Sequence, residues 1–247
     1  MNRYFIELAY QGTAYNGWQR QNNSPSVQQE IEEALCKIMR DKTPITGCGR
    51  TDTGVHARFA VAHFESEKPS EYFDAHFVYH LNCILPRDIE IKSIYKTEFH
   101  ARFDAKLREY KYYIALTKNP FSRDSSWQIL TPLNLQAMQE ATEYLLQHSD
   151  FTSFAKLHSD TKTNICSVTH CSMEQIEGPH ENPMLVMTIR ADRFLRGMVR
   201  GIVGTLADVG RGKISPEQFN DIIMAENRQN ASSQAPAQGL FLTNVTY

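Results

Sequence analysis

Three glycines lie within eight residues of one another between Gly47 and Gly54, and this stretch constrains the local fold strongly. Glycine is costly inside a helix and weakens a strand, so the spacing predicts a loop that turns sharply or lies against another group. The same loop carries Arg50 and Asp52, two positions apart. Most charged residues in loops have no chemical role, so the loop alone favours a surface turn with a solvated ion pair. A chemical role for Arg50 and Asp52 therefore needs support from the rest of the chain.

Composition sets the class of protein. The 247 residues, with 41% hydrophobic content, suffice for one large domain or two closely joined halves. No apolar run is long enough for a membrane span, and the N-terminus lacks an apolar targeting segment. We therefore expect a cytoplasmic protein that is not associated with a membrane. The five cysteines are scattered and odd in number, which indicates neither a disulfide framework nor a zinc site.

The charges are nearly balanced but unevenly distributed. There are 26 Lys and Arg against 28 Asp and Glu, so the chain is not a generic polycation. Two stretches are nevertheless basic. They are Arg102–Arg123 and Arg190–Lys213. They predict either a phosphate-binding surface or two solvated faces, and the charge pattern alone leaves both open.

Alternating and helical patterns predict two similar strand–helix–strand halves, residues 1–105 and 106–247. Tyr4, Ile6 and Leu8 alternate in a first strand, and a helix follows from a capping box that begins at Ser26. A second helix is expected from Ser70. We therefore predict an α+β fold with a mixed, mostly antiparallel central sheet and flanking helices.

One later helix combines cations with glycines. The pattern predicts it from Arg193 to about Val209, with Arg193, Arg196 and Arg200 on one side. Gly197, Gly201 and Gly204 lie beside those arginines. Because glycine destabilises a helix interior, this row predicts the close approach of another backbone or a ligand.

Aromatic residues near these segments allow two interpretations each. Trp18 lies in a loop rich in amides, with Arg20 nearby, and could stack on a base or, more commonly, fill the core. Tyr110 lies on a predicted strand, where it could stack on a base or serve as packing. His76 and His80 are four residues apart on a predicted helix, but they lack the acidic base of a metalloprotease motif, so we expect no metal.

Five segments together resemble the bacterial tRNA pseudouridine synthase A family, in the family's order and over nearly the full length. These segments are Tyr15–Gln21, Gly49–Ala57, Phe99–Phe103 with Arg108–Tyr112, Phe194–Arg200 and Ala235–Leu240. A single Gly-Arg-Thr-Asp would be a modest signal, whereas five motifs in register are a strong one. The resemblance implies the pseudouridine synthase fold and an isomerase of tRNA that needs no cofactor.

The resemblance also implies roles for individual residues. Asp52 would be the catalytic carboxylate, Arg50 would assist base flipping and Arg200 would pair with Asp52. The expected substrate-binding residues are Tyr110, which would stack on the target uracil, and Arg20, Arg196 and Leu240. In this interpretation residues 1–105 carry the catalytic loop and residues 106–247 complete the active site.

The implied substrate is uridine at positions 38–40 of the tRNA anticodon stem-loop, and the implied assembly is a homodimer. Two other classes of function compete with this one. A non-catalytic tRNA-binding protein could use the same basic and aromatic residues. A glycosidase-like hydrolase would need a second carboxylate near Asp52, and the local motif supplies none.

Overall fold

The computed structural model describes residues 1–156, 162–178 and 182–247. The chain forms two compact units. The first comprises Met1–Lys106 and Phe241–Tyr247, and the second comprises Leu107–Leu240. The sequence analysis assigned the catalytic loop to residues 1–105 and the completion of the active site to residues 106–247. That assignment stays a prediction.

Nine strands and five α-helices occur in the described ranges. In chain order the strands are β1 (Asn2–Tyr10), β2 (Thr46–Gly47), β3 (His56–Ser66), β4 (Ile89–Thr97), β5 (Leu107–Ala115), β6 (Trp127–Gln128), β7 (Val168–Gly178), β8 (Asn182–Ala191) and β9 (Leu240–Thr246). The helices are α1 (Val27–Met39), α2 (Ala75–Ile84), α3 (Leu135–Tyr144), α4 (Met198–Gly210) and α5 (Pro216–Met224).

In the first unit β1 lies between β3 and β4 and is antiparallel to both, while β3 also pairs with β2. The last strand, β9, joins the edge of β3 in parallel, with His56 opposite Phe241. The alternation of β1 places Tyr4, Ile6 and Leu8 in the core, where each is completely buried. The α2 helix packs against β4.

In the second unit β8 lies between β5 and β7 and is antiparallel to both, and the short β6 runs parallel to β5. The α3 helix packs against β7 and α4. Each unit therefore has a mixed, mostly antiparallel set of strands with flanking helices. The predicted α+β class is confirmed. Among the described residues, no helix combines the length and apolar character required to cross a bilayer.

Two predicted α-helix starts are wrong. The segment expected to form one helix from Ser70 contains a short 3-10 helix, Ser70–Phe73, and α2 begins only at Ala75, because the Asp74 carboxylate accepts the Phe77 N–H at 2.9 Å and caps it there. The helix expected from Arg193 begins at Met198, because Gly197 has a φ of 72° and so cannot continue a right-handed helix. Arg193 and the predicted substrate-binding Arg196 therefore lie ahead of α4, not on it.

Candidate active site

The loop that carries Asp52 connects β2 to β3. Its first residues continue the strand pairing, since the Cys48 N–H donates to the Val61 carbonyl at 2.7 Å. A tight turn follows the carboxylate, in which the Val55 N–H donates to the Asp52 carbonyl at 3.1 Å. Gly54 makes this turn with a φ of 78°. The backbone of Asp52 is thus held while its side chain stays half-exposed.

A second loop of the first unit packs against this one. The Trp18 N–H donates to the Thr51 carbonyl at 3.2 Å, and the Gly54 N–H donates to the Tyr15 carbonyl at 3.3 Å. The hydroxyl groups of Tyr10 and Thr51 are 2.9 Å apart. The residues on both sides of Asp52 are therefore tied to neighbouring backbone or side chains, so the carboxylate is placed by a rigid support.

Trp18 and Tyr15 are core residues of this support. The Trp18 side chain is 3% exposed, and a β-carbon on Gly47 would lie 2.5 Å from its ring. The Tyr15 hydroxyl donates to a carboxylate oxygen of Asp88 at 2.6 Å, and burial, with that carboxylate, raises the pKa of Tyr15. Of the two roles considered for Trp18, the structure supports core packing and not base stacking.

The cations of the first unit differ in their surroundings. Arg50 is exposed, and its Nε donates to Oε1 of Gln19 at 3.1 Å. Arg20 is also exposed but forms ion pairs with Glu32 at 3.0 Å and Glu33 at 3.7 Å, both on α1. Arg50 thus lies at the surface beside the turn that follows Asp52, while the Arg20 guanidinium is paired with carboxylates in the middle of α1. Their substrate contacts stay predictions.

In the second unit Tyr110 is half-buried on β5, opposite Ile189 of β8. Its ring meets that of Phe194 edge to face, with centroids 5.1 Å apart. An edge-to-face contact between two aromatic rings is favourable and limits how the Tyr110 ring can turn. This geometry is compatible with the predicted stacking of Tyr110 on uracil, which stays a prediction.

Arg200 lies in the first turn of α4 and is tied to the segment after Ser232. Its Nε donates to the Ala235 carbonyl at 2.7 Å, and the Ala235 N–H donates to the Arg200 carbonyl at 2.9 Å. A β-carbon on Gly204 would overlap the Ser233 carbonyl oxygen. The predicted close approach of another backbone to the glycine row is therefore confirmed at Gly204.

A buried tyrosine lies under the same segment. The Tyr112 hydroxyl donates to the Pro236 carbonyl at 2.8 Å, and the ring is completely buried. Burial raises the pKa of Tyr112, and the Arg200 charge opposes only part of that rise. Tyr112 therefore remains a neutral hydrogen-bond donor that holds the segment in place.

Arg196 and Leu240, the two other residues predicted to bind the substrate, differ in exposure. Arg196 is exposed, and its carbonyl accepts the Lys156 N–H at 2.9 Å, whereas Leu240 is 6% exposed at the start of β9. The predicted pairing of Asp52 with Arg200 would join the first unit to the second, and it stays a prediction. In the part of the chain that the structure describes, no three His, Cys, Asp or Glu side chains are grouped to hold a metal ion.

Comparison with known proteins identifies the family. A family model described as tRNA pseudouridine synthase matches residues 141–247. A relative from Bacteroides fragilis named tRNA pseudouridine synthase A is 49% identical over all of this chain and 97% of its own length. The chain belongs to the tRNA pseudouridine synthase A family.

Other members are similar to nearly the same extent. Proteins named tRNA pseudouridine synthase A from Parabacteroides distasonis and Bacteroides thetaiotaomicron are each 48% identical over the whole chain, covering 96% and 91% of those relatives. The resemblance found in the sequence motifs is thus confirmed, as is the enzyme class: members of the tRNA pseudouridine synthase A family are isomerases acting on tRNA.

The interpretation of the motifs missed one part of the loop's surroundings. Gln19 and Gln28 connect Arg50 to α1 through side-chain hydrogen bonds. Gln19 stood within a motif and Gln28 within a capping box, but the hydrogen bond between them depends on the tertiary fold. The available signal in the sequence was the glutamine at position 28, two residues after the N-cap Ser26.

Proposed function

We propose that this chain isomerises uridine to pseudouridine at positions 38–40 of the tRNA anticodon stem-loop, with Asp52 as the catalytic carboxylate. The observation that carries the proposal is the Asp52 turn. Its backbone is held by the Val55 N–H at 3.1 Å, its neighbour Thr51 is bonded to the Trp18 N–H, and its side chain is half-exposed. A carboxylate so placed can meet a ribose without rearrangement.

The reaction exchanges one glycosidic bond for another. The bond between N1 of uracil and C1′ of the ribose breaks, the uracil rotates while it is held, and a bond forms between C5 and C1′. C5 loses its proton and N1 gains one, so atoms and electrons balance without an electron carrier. Asp52 can act as the nucleophile at C1′, forming an ester, or as a base that leads to a glycal.

The target base must leave the RNA stack before it can react. Extrusion of a base costs a few kcal/mol, which contacts to the displaced nucleotide have to offset. In our proposal the exposed Arg50 assists flipping, and Tyr110, steadied by Phe194, stacks on the uracil. Arg200 provides the counter-charge that keeps Asp52 ionised.

The remaining assignments concern the tRNA and the assembly. We propose that Arg20, Arg196 and Leu240 contact the substrate, that residues 106–247 complete the site begun by residues 1–105, and that the enzyme acts as a homodimer in the cytoplasm. Family membership supports tRNA as the substrate. The positions within tRNA and the dimer go beyond that support.

The proposal is tested with unmodified tRNA that carries tritium at C5 of uracil. Isomerisation releases the label, because C5 exchanges its proton for the bond to C1′. Mapping the product by pseudouridine-specific adducts and primer extension then locates the modified positions. We expect release and adducts at positions 38–40. A protein that binds the tRNA without releasing label would instead be the non-catalytic binder, and label release with adducts elsewhere would refute the anticodon assignment.

A further inference from the structure

Arg50 stands at the end of a chain of hydrogen bonds that begins in α1. Its Nε donates to Oε1 of Gln19 at 3.1 Å, and Nε2 of Gln19 donates to Oε1 of Gln28 at 2.7 Å. Nε2 of Gln28 donates to Oε1 of Glu32 and to the carbonyl of Ile45, each at 3.0 Å. Two amide side chains therefore connect the cation to a helix and to the strand-side backbone.

The chemistry of the ends decides the orientation of both amides. The Ile45 carbonyl and the Glu32 carboxylate only accept hydrogen bonds, so Gln28 must turn its NH2 group toward them and its oxygen toward Gln19. The Arg20 backbone N–H, which only donates, also meets that oxygen at 3.0 Å.

Gln19 must in turn present its NH2 group to Gln28, and this leaves its oxygen facing the guanidinium of Arg50. Without the amide of Gln28, the NH2 group of Gln19 would lose its acceptor, and the hydrogen bond to Nε of Arg50 would have to orient the Gln19 side chain by itself. The orientation of one amide thus sets that of the next.

We propose that Gln28, acting through Gln19, is a positioning residue that orients Arg50 for base flipping; this rests on the proposed function. Arg50 is exposed and its side chain is long, so a free Arg50 side chain would have many rotamers. The hydrogen bonds through Gln19 and Gln28 restrict those rotamers in advance and so reduce the entropy lost when Arg50 contacts a displaced base. Glu32 steadies the far end, because its Oε1 also accepts the Ile45 N–H at 3.1 Å.

The test compares Gln28→Met with Gln29→Met. Both replace a glutamine of similar burial on the first turn of α1, but the side-chain amide of Gln29 donates to the exposed Glu33 on its own helix and not toward Arg50. The measurement is the single-turnover rate of tritium release with protein in excess, alongside tRNA affinity. We expect Gln28→Met to lower the rate about three- to tenfold, the worth of one or two hydrogen bonds, with little change in affinity. Gln29→Met should retain the wild-type rate.

Two further variants separate positioning from a fold defect. Gln19→Met breaks the chain of hydrogen bonds between Gln28 and Arg50 without touching Ile45. It should therefore lower the rate by a factor like that of Gln28→Met. In an Arg50→Met background, Gln28→Met should have no further effect on the rate. An unchanged rate in Gln28→Met, or the same loss with and without Arg50, would overturn the proposal.

A readout in the free protein does not depend on activity. Solvent exchange of the Arg50 Nε–H, followed by NMR, should be slowed in the wild type and in Gln29→Met, and faster in Gln28→Met. Equal exchange rates in all three proteins would contradict the proposal that Gln28 orients Arg50 through Gln19, even if the enzyme is active. A wild-type protein that releases no label would overturn the proposed function itself, and with it the role of Arg50, whatever the exchange shows.

Discussion

Gly17 packs against the carbonyl group of Thr51 so closely that a β-carbon at position 17 would overlap the Thr51 oxygen. Gly17 also has a φ of 89°, where side chains other than glycine are strained. The residue next to Asp52 is therefore held at a distance that only glycine allows, and the placement of the loop that carries Asp52 depends on a second loop earlier in the chain.

The first prediction follows for Gly17→Ala. We expect the free energy of unfolding to fall by about 1–3 kcal/mol and the single-turnover rate to fall by at least about tenfold, because the Thr51–Asp52 backbone must shift. Chemical denaturation and tritium release measure the two effects.

The control is Gly49→Ala in the loop that carries Asp52. No atom lies within 4 Å of a β-carbon built there, and its φ is not in the left-handed region. This variant should show no measurable loss of stability. If both variants unfold alike, the close packing of the two loops does not govern the stability of this region.

The second prediction concerns two glycines of α4. Gly204→Ala would drive a β-carbon into the Ser233 carbonyl and displace the segment that binds Arg200, so we expect a loss of about 1–3 kcal/mol in the free energy of unfolding. Gly201→Ala is the matched change, because its nearest contact is the Phe154 carbonyl oxygen at 3.4 Å. There the higher helix propensity of alanine should leave stability unchanged or raise it by up to about 1 kcal/mol. Denaturation curves that rank the two variants in the opposite order would refute this account of the glycine row.

The third prediction is a pH dependence of stability. His63 is buried, accepts the Ala101 N–H at 3.2 Å through Nδ1, and lies with its ring centroid 4.4 Å from that of His100. Burial first, then the charges of His100 and Arg3, lower the pKa of His63 to about 4, whereas Glu65 opposes this. The unfolded chain, with a His pKa near 6.5, then binds the proton first as the pH falls.

It follows that the contribution of His63 to stability is complete above pH 6.5 and declines as the pH drops toward 4. Replacing it by asparagine keeps an acceptor for Ala101 and removes the titration. Between pH 7 and pH 5 the wild type should lose up to about 2 kcal/mol more than His63→Asn, after allowance for solvent screening. The exposed His80→Asn serves as control, and equal pH slopes for the wild type and His63→Asn would contradict the assignment.

Most of the secondary structure could be predicted from patterns formed by residues that are close together in the chain. The alternation of Tyr4, Ile6 and Leu8 involves neighbours in the chain, and it is present in the structure. The capping box at Ser26 is only half formed. The serine accepts the Gln29 N–H, but the Gln29 side chain bonds to Glu33 instead.

The misplaced helix starts arose where two local signals compete. Ser70 and Asp74 are both good N-caps, and propensity does not say which of them the tertiary fold selects. The apolar stripe that begins at Phe194 is continuous with that of α4, so the pattern concealed the left-handed Gly197. Glycine is permitted in either conformation, and its sequence position does not distinguish them.

The candidate site divides in the same way. Arg50 and Asp52 lie in one short segment, so a motif sufficed to predict them together. The connection of Arg50 to Gln19 and Gln28 joins residues 31 and 9 positions apart in successive steps, and it exists only because the loop and α1 are brought together by the fold. No periodicity in the sequence marks such a chain.

We propose that the carboxylate of Asp52 performs the chemistry of isomerisation. Asp52→Asn keeps the size of the side chain and removes its charge, so the protein should fold and bind tRNA as the wild type does. With tRNA labelled at C5 and protein in excess, we predict that the rate of tritium release falls by at least about 10²-fold. Release by Asp52→Asn at the wild-type rate would contradict the account.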